Sequence, residues 1–428
     1  MQVFRSVLIR FCVALVAALA ASGESIAQRV DALAFDEALR LGEERSQQLR
    51  AEDATALAAR EMAAAAAEAP DPVLTAGINN LPVNGPDRYS LNDDFMTMRS
   101  VGLSRQLTRH DKRDARAERF EREAEAAEAG RTLALSDLQR ETASAWLERY
   151  FRERVREVVA QQRDQASLQV EAADLAYRSG VGPQSDVFAA RAAVAELDDR
   201  LAAAVRDEQV ATTMLGRWIG SAAERPLAAL PDIGTVPLHS ASLEAQLANH
   251  PEIAVMLKQE AVARADIEIA RSATRSDWTI EVTYSQRGPD FSNMMSLNVS
   301  KPIQWRESRR QGRGVASRVA TAERARAQRE EETRAHFAEA MALLQSWQAN
   351  RERLQRYTAT LLPLTTERTA AATTAYRSRT GSLDAVLEAR VGEIEAQVAH
   401  LELELETATL WAELNYLVPG GHEAGVTQ

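Results

Sequence analysis

The chain repeats itself. Ala176-Tyr177-Arg178-Ser179 is followed by Gly182, Val187, Ala190 and Arg191. Ala375-Tyr376-Arg377-Ser378 is followed by Gly381, Val386, Ala389 and Arg390, the same pattern 199 residues later. Upstream, Val101-Gly102-Leu103-Ser104-Arg105-Gln106-Leu107 matches Leu297-Asn298-Val299-Ser300-Lys301-Pro302-Ile303 in pattern at nearly the same offset. Two landmarks in the same order are the mark of an internal repeat rather than of chance. We therefore divide the chain into a first unit, 28–225, a second unit, 226–418, and a short tail, 419–428.

Each unit reads helix, strand pair, very long helix, turn, helix. In the first, residues 34–69 have a helical composition that stops at the breaker Pro70-Asp71-Pro72. Residues 73–80 and 99–107 then alternate apolar and polar, the period of a strand; Leu74, Ala76 and Ile78 fall on one face and Thr75, Gly77 and Asn79 on the other. Residues 111–178 run without a proline, a helix about 100 Å long at about 1.5 Å per residue. In the second unit, Trp278, Ile280, Val282 and Tyr284 alternate with Thr279, Glu281, Thr283 and Ser285 over 278–286, and a partner strand is expected at 295–303. Another long helix covers 308–377, where Pro363 predicts a kink. In the closing helix, Leu387, Val391, Ile394, Val398, Leu401, Leu405, Ala408 and Ala412 form a coiled-coil seam. The Pro-rich stretch 221–240 joins the two units.

Composition narrows the class. Aromatics are only 5% of the 428 residues, so the core must be built from small side chains, which suits long helices in close contact. A formal net charge of −11 argues against nucleic acid, which calls for a basic stripe. The only cysteine, Cys12, lies in an amino-terminal segment with Arg5 and Arg10, an apolar run over 11–21 and the small-x-small site Ser25-Ile26-Ala27. Residues 1–27 therefore read as a secretory signal peptide. The rest of the chain has no thiol for disulfides, thiolate metal sites or nucleophiles.

The strands carry the function. Each pair has one apolar face, yet long helices flank it and no further layer is at hand to cover it. Strands of about nine to eleven residues can cross a bilayer in a tilted barrel, and Trp278 and Tyr284 bracket Ile280 and Val282 as interfacial aromatics bracket a lipid-facing band. Four strands are too few to close a barrel, and open edges are not viable in lipid. If the strands span a membrane, several copies must combine.

The duplicated plan and its two tyrosine-to-glycine turns resemble the TolC family of outer-membrane efflux channels over essentially the whole mature chain. The stretch from Pro70-Asp71-Pro72 to Asn84-Gly85-Pro86-Asp87, with Asp94-Phe95-Met96-Thr97-Met98-Arg99-Ser100-Val101-Gly102-Leu103, is similar to the branch serving heavy-metal exporters of the cobalt-zinc-cadmium and copper-silver kinds. The resemblance implies a mainly α protein with short membrane β-hairpins. It would form a homotrimer with a twelve-stranded β-barrel in outer-membrane lipid and an α-helical barrel tunnel reaching into the periplasm. It also implies docking to a periplasmic adaptor and an inner-membrane pump of the RND type, with no cofactor and no catalysis. The acylated cysteine that some relatives carry is missing, which leaves the barrel as the sole membrane anchor.

The same resemblance marks the two turns. The family's helix-start acid falls on Asp186, although an acid there also fits a plain helix start. In the second turn the family's acids fall on Ala385 and Glu388, with Asp384 adjacent; Tyr376 matches a gate tyrosine, and the gate arginine's position falls on Gly381. Asp186, Tyr376, Asp384 and Glu388 are thus the periplasmic gate candidates, with Arg178, Arg377, Arg379 and Arg390 as partners for the carboxylates. Tyr177, Arg178, Gly182, Arg377 and Gly381 are the adaptor-docking candidates.

The remaining constellations point nowhere sharper. Six scattered histidines show no metal-ligand spacing on one helix face. Met96, Met98, Met294 and Met295 cluster near the outer loops, where packing at a membrane interface is favoured over a soft-metal exit site. The rival readings are a periplasmic coiled-coil adaptor and a structural scaffold. Neither accounts for the duplicated hairpins.

Overall fold

The computed structural model describes residues 32–239, 243–247 and 250–417. The expected signal segment, 1–27, and the tail, 419–428, lie outside the described residues. The elements are α1 (Phe35–Arg45), α2 (Gln47–Ala67), β1 (Val73–Asn79), β2 (Met98–Leu107), α3 (His110–Arg178), α4 (Gln184–Ile219), α5 (Leu243–Leu247), α6 (Pro251–Ser272), β3 (Trp278–Gln286), β4 (Met294–Ser300), α7 (Glu307–Arg356), α8 (Leu362–Arg377) and α9 (Leu383–Asn415). Residues 34–69 form two helices, not one: the Ser46 hydroxyl accepts the N–H of Leu49 and starts α2 afresh. β4 stops at Ser300, short of the expected 303, because Pro302 has no N–H to give a strand ladder.

Small residues in sevens let the long helices lie side by side. Val159, Ala166 and Ala173 are buried on α3, and Ala190, Leu197, Ala204 and Ala211 on α4, each set spaced by seven. A strict seven-residue period keeps one stripe facing the partner only if the helices supercoil to the left. Midway along α3 the spine gives way to an aromatic knot. Trp146 packs edge-on against Phe35 at 5.5 Å, Phe35 lies 5.8 Å from Trp411, and Leu147, Phe151, Leu215, Leu344 and Trp347 fill the space around them. The indole of Trp411 donates to Thr235 O at 2.8 Å, which fastens α9 to the linker between the two units. The linker itself pairs with the segment before α1: Leu33 N donates to Pro226 O at 2.7 Å.

The closing helix departs from its expected seam. Ile394, Leu405, Ala408 and Ala412 are buried, but Val391 is exposed and Leu387, Val398 and Leu401 are half-buried. A second stripe, Val386, Ala389, Glu393, Ala396, Leu403 and Leu414, is buried as well, since α9 has neighbours on more than one side. Around Pro363 the chain makes a π-helical turn, Tyr357–Leu361, between α7 and α8. The proline sits in the first turn of α8, where its missing N–H is least costly.

The two hairpins are not isolated. They join through β2 and β3 into one antiparallel sheet of order β1-β2-β3-β4. The register lines up apolar residues across all four strands: Leu74, Leu103, Val282 and Leu297 form one row, and Ala76, Val101, Tyr284 and Met295 the next. The alternate rows are mostly polar, as in Ser104, Glu281 and Asn298, or Thr75, Thr283 and Ser296. The apolar rows lie bare; Leu74 is 71% exposed and Leu297 68%. The outer edges of β1 and β4 have no strand beside them among the described residues. Among the described residues, no helix is long and apolar enough to cross a membrane.

Candidate functional site

The two repeated turns come together at one end of the helical body. Ala173 of α3, Val187 and Ala190 of α4, and Leu383 and Val386 of α9 form a closed apolar cluster, with Tyr376 of α8 packed against it. The turns share one hydrogen-bond pattern. Val181 N and Gly182 N both donate to Ala176 O at 2.9 and 3.1 Å, and Thr380 N and Gly381 N both donate to Ala375 O at 2.9 and 3.1 Å. The glycines sit in tight places: a Cβ on Gly182 would lie 3.1 Å from the Ala176 Cβ, and one on Gly381 3.0 Å from that of Ala375, so either would push its neighbour aside by a few tenths of an ångström. The left-handed residue of the first turn is Gly180 (φ +71°), whereas the second puts Arg379 in that conformation (φ +63°).

The gate candidates fare differently. Asp186 is in the first turn of α4, half-buried, where the helix dipole favours a negative charge. Burial raises the Tyr376 phenol above its ordinary pKa, and the charge of nearby Asp186 raises it further. The structure thus brings Asp186 and Tyr376, from the two different turns, into one electrostatic neighbourhood. Asp384 lies exposed in the first turn of α9, where Ser382 caps the helix by accepting the N–H of Ala385 at 3.3 Å. Glu388 is engaged within the chain, accepting from Arg368 Nη2 at 2.6 Å on a well-exposed surface. Arg368 was not legible as its partner, because the two lie on different helices and share no pattern.

Among the expected arginine partners, Arg178 pairs with Asp174 on its own helix at 2.7 Å. Arg390 is half-buried, and burial lowers its pKa despite the charge of Glu393. Arg377 and Arg379 are exposed. The docking candidates Tyr177, Arg178, Gly182, Arg377 and Gly381 sit on the turn tips, and beside them Leu175, Val181 and Phe188 expose apolar surface that the sequence reading did not single out. At the opposite end, Met98 opens β2 and Met294 opens β4, with Met295 across from Tyr284.

Packing also gathers residues that sequence spacing kept apart. His250, Glu252 and His336 place one ligand atom each within 4.8 Å of one another. The histidines are separated by 86 positions and lie on different elements, so no spacing rule finds them. His250 caps α6, its Nδ1 accepting the N–H of Glu252 at 3.3 Å; burial, then the charges of His336 and Arg140, bring its pKa down to about 4.

No family model matches the chain, and no curated protein matches it in sequence. Solved structures share its fold. The chain is similar to the outer membrane protein VceC of Vibrio cholerae, at 18% identity over 90% of this chain and 95% of that one, with a TM-score of 0.73. It is similar to the CmeC outer membrane channel of Campylobacter jejuni, at 14% identity over 90% of this chain and 86% of that one, with a TM-score of 0.74. It is also similar to CusC, described in connection with transmembrane channel formation, at 15% identity over 90% of this chain and 92% of that one, with a TM-score of 0.70.

Proposed function

We propose that the chain is one protomer of an outer-membrane channel, a passive duct for substrates handed over by an inner-membrane pump and a periplasmic adaptor. One observation carries this reading: a single sheet whose register stacks apolar residues on one face and polar residues on the other, with the apolar face bare. A face of this kind is stable against lipid, and the polar face suits a water-filled interior. The edges of β1 and β4, unpaired among the described residues, then require neighbouring copies, and three copies of a four-stranded sheet make a twelve-stranded barrel. The likeness in fold to outer-membrane channels supports the same reading.

In this reading the duplicated units supply one hairpin each, and α3, α4, α7, α8 and α9 build the tunnel wall below the sheet. The turn cluster around Asp186 and Tyr376 is its periplasmic end, where Asp384 and Glu388 repeat around the trimer axis. The exposed turn tips, Tyr177, Arg178 and Arg377 among them, face the adaptor. The cargo is a heavy-metal cation, supported by the resemblance of residues 70–103 to the heavy-metal branch.

Membrane fractionation with chemical cross-linking tests the channel. The outer-membrane pellet should hold a cross-linked trimer, and the purified protein should conduct in planar bilayers. A soluble, non-conducting monomer would refute it. Heightened sensitivity of a deletion strain to cobalt, zinc, cadmium, copper or silver tests the cargo separately.

A further inference from the structure

We infer that His250, Glu252 and His336 form a binding site for one divalent transition-metal cation of the zinc or cobalt kind. The site lies where residues of α3, α6, α7 and α9 line a half-open cavity of about 380 Å³. It is remote in sequence from the turn residues and holds whether or not the chain conducts.

Three observations carry it. The first is the ligand set. Two imidazoles and one carboxylate with an open fourth position is a donor set that zinc accepts, at about 2.0–2.2 Å per bond. Such bonds in a tetrahedron hold the donors about 3.3–3.5 Å apart. The donors here already lie within 4.8 Å of one another, and the Glu252 carboxylate is 3.0 Å from His336 Nε2.

The second is an unsatisfied nitrogen. His336 Nε2 is buried and 3.0 Å from Glu252 Oε2, yet the pair is not aligned as a hydrogen bond. The ring is held by its neighbours instead: it stacks on His250 with centroids 4.6 Å apart and planes 29° apart. Its other nitrogen, Nδ1, is 3.8 Å from Glu339 Oε2, placed to orient the ring once Nε2 takes a metal. On His250, Nδ1 accepts the N–H of Glu252 at a long 3.3 Å.

The third is the field. The cavity wall carries the acids Asp137, Glu141, Glu252, Glu339 and Glu413 against one cation, Arg140, which is itself 3.0 Å from Asp137 and 3.8 Å from Glu141. Burial raises the pKa of Glu413; the charge of Arg140 lowers it, and those of Glu339 and Glu141 raise it. A divalent cation relieves this crowding of negative charge.

The test uses the full chain in detergent, stripped with a chelator and titrated with Co²⁺, then with Zn²⁺ as competitor. Expected are one Co²⁺ per chain, visible absorption of four-coordinate intensity that Zn²⁺ abolishes, and no displacement by excess Ca²⁺. His336→Gln and Glu252→Ala should each weaken Co²⁺ binding about 100-fold, at least the upper end of what outer partners contribute. Both should keep the circular dichroism and metal-free melting temperature of the parent. Absence of saturable binding, equal binding by parent and variants, or full displacement by Ca²⁺ would overturn the assignment.

Discussion

Lys112 Nζ lies 3.0 Å from Asp277 Oδ2, with both side chains almost fully buried, at the junction where the sheet meets the helices. Lys112 is in the first turn of α3, just after β2, and Asp277 immediately precedes β3. The same carboxylate accepts from Gln106 Nε2 at 3.2 Å and from the Arg109 N–H at 3.4 Å. One acid from the second unit thus satisfies three donors from the first and fixes how the two hairpins meet.

Removing one partner strands the other charge in the interior. Asp277→Ala or Lys112→Met should each destabilise the assembled protein by about 3–5 kcal/mol. The double variant Lys112→Met/Asp277→Leu should recover most of that loss. Denaturant titration of the three variants in detergent measures it, and a double variant no better than the singles would refute the pairing.

The same carboxylate sets an acid limit. Burial pushes the pKa of Asp277 up, but the donors from Lys112, Arg109 and Gln106 outweigh burial and leave it below its ordinary value of 3.8. As pH falls, the unfolded chain takes up this proton first, so the stability contributed is present above about pH 3.8 and is lost as pH drops through the folded value. Unfolding midpoints followed from pH 5 to pH 2 should fall more steeply in the parent than in the double variant.

The two faces of the sheet should respond differently to charge. Val282→Arg puts a cation in the apolar row with Leu103 and Leu297, at about 2–4 kcal/mol near the bilayer midplane. Thr279→Arg, on the polar face, should assemble nearly as well as the parent. Equal yields of heat-resistant trimer from both variants would overturn the assignment of faces.

At the turns, Arg379 bears a backbone conformation that glycine adopts at Gly180 in the first turn. Arg379→Gly should therefore stabilise the tip by about 1 kcal/mol by relieving left-handed strain, whereas Gly180→Ala should cost a similar amount. Hydrogen exchange at the two turns reads both effects locally.

The gate prediction rests on Tyr376, whose phenol pKa is raised by burial and then by the charge of Asp186. Tyr376→Phe with Arg377→Ser should raise single-channel conductance in planar bilayers, and Asp186→Ala should weaken block by divalent cations applied from the periplasmic side. Parental behaviour in both would reduce these turns to helix ends.

The periodicities along the chain determined the long helices, the strand pairs and the turns. Each depends on residues within a few positions of one another: Leu74, Ala76 and Ile78 declare a strand face, and Pro70-Asp71-Pro72 declares a helix end. Only the tertiary structure decided what met what. It joined β2 to β3 and so made one sheet of two hairpins. It set Lys112 on Asp277, turned Glu388 toward Arg368, and brought His250 and Glu252 to His336. Those contacts link residues on separate elements, where geometry depends on how whole helices pack; hydrophobic periodicity says which face is buried but not which partner buries it.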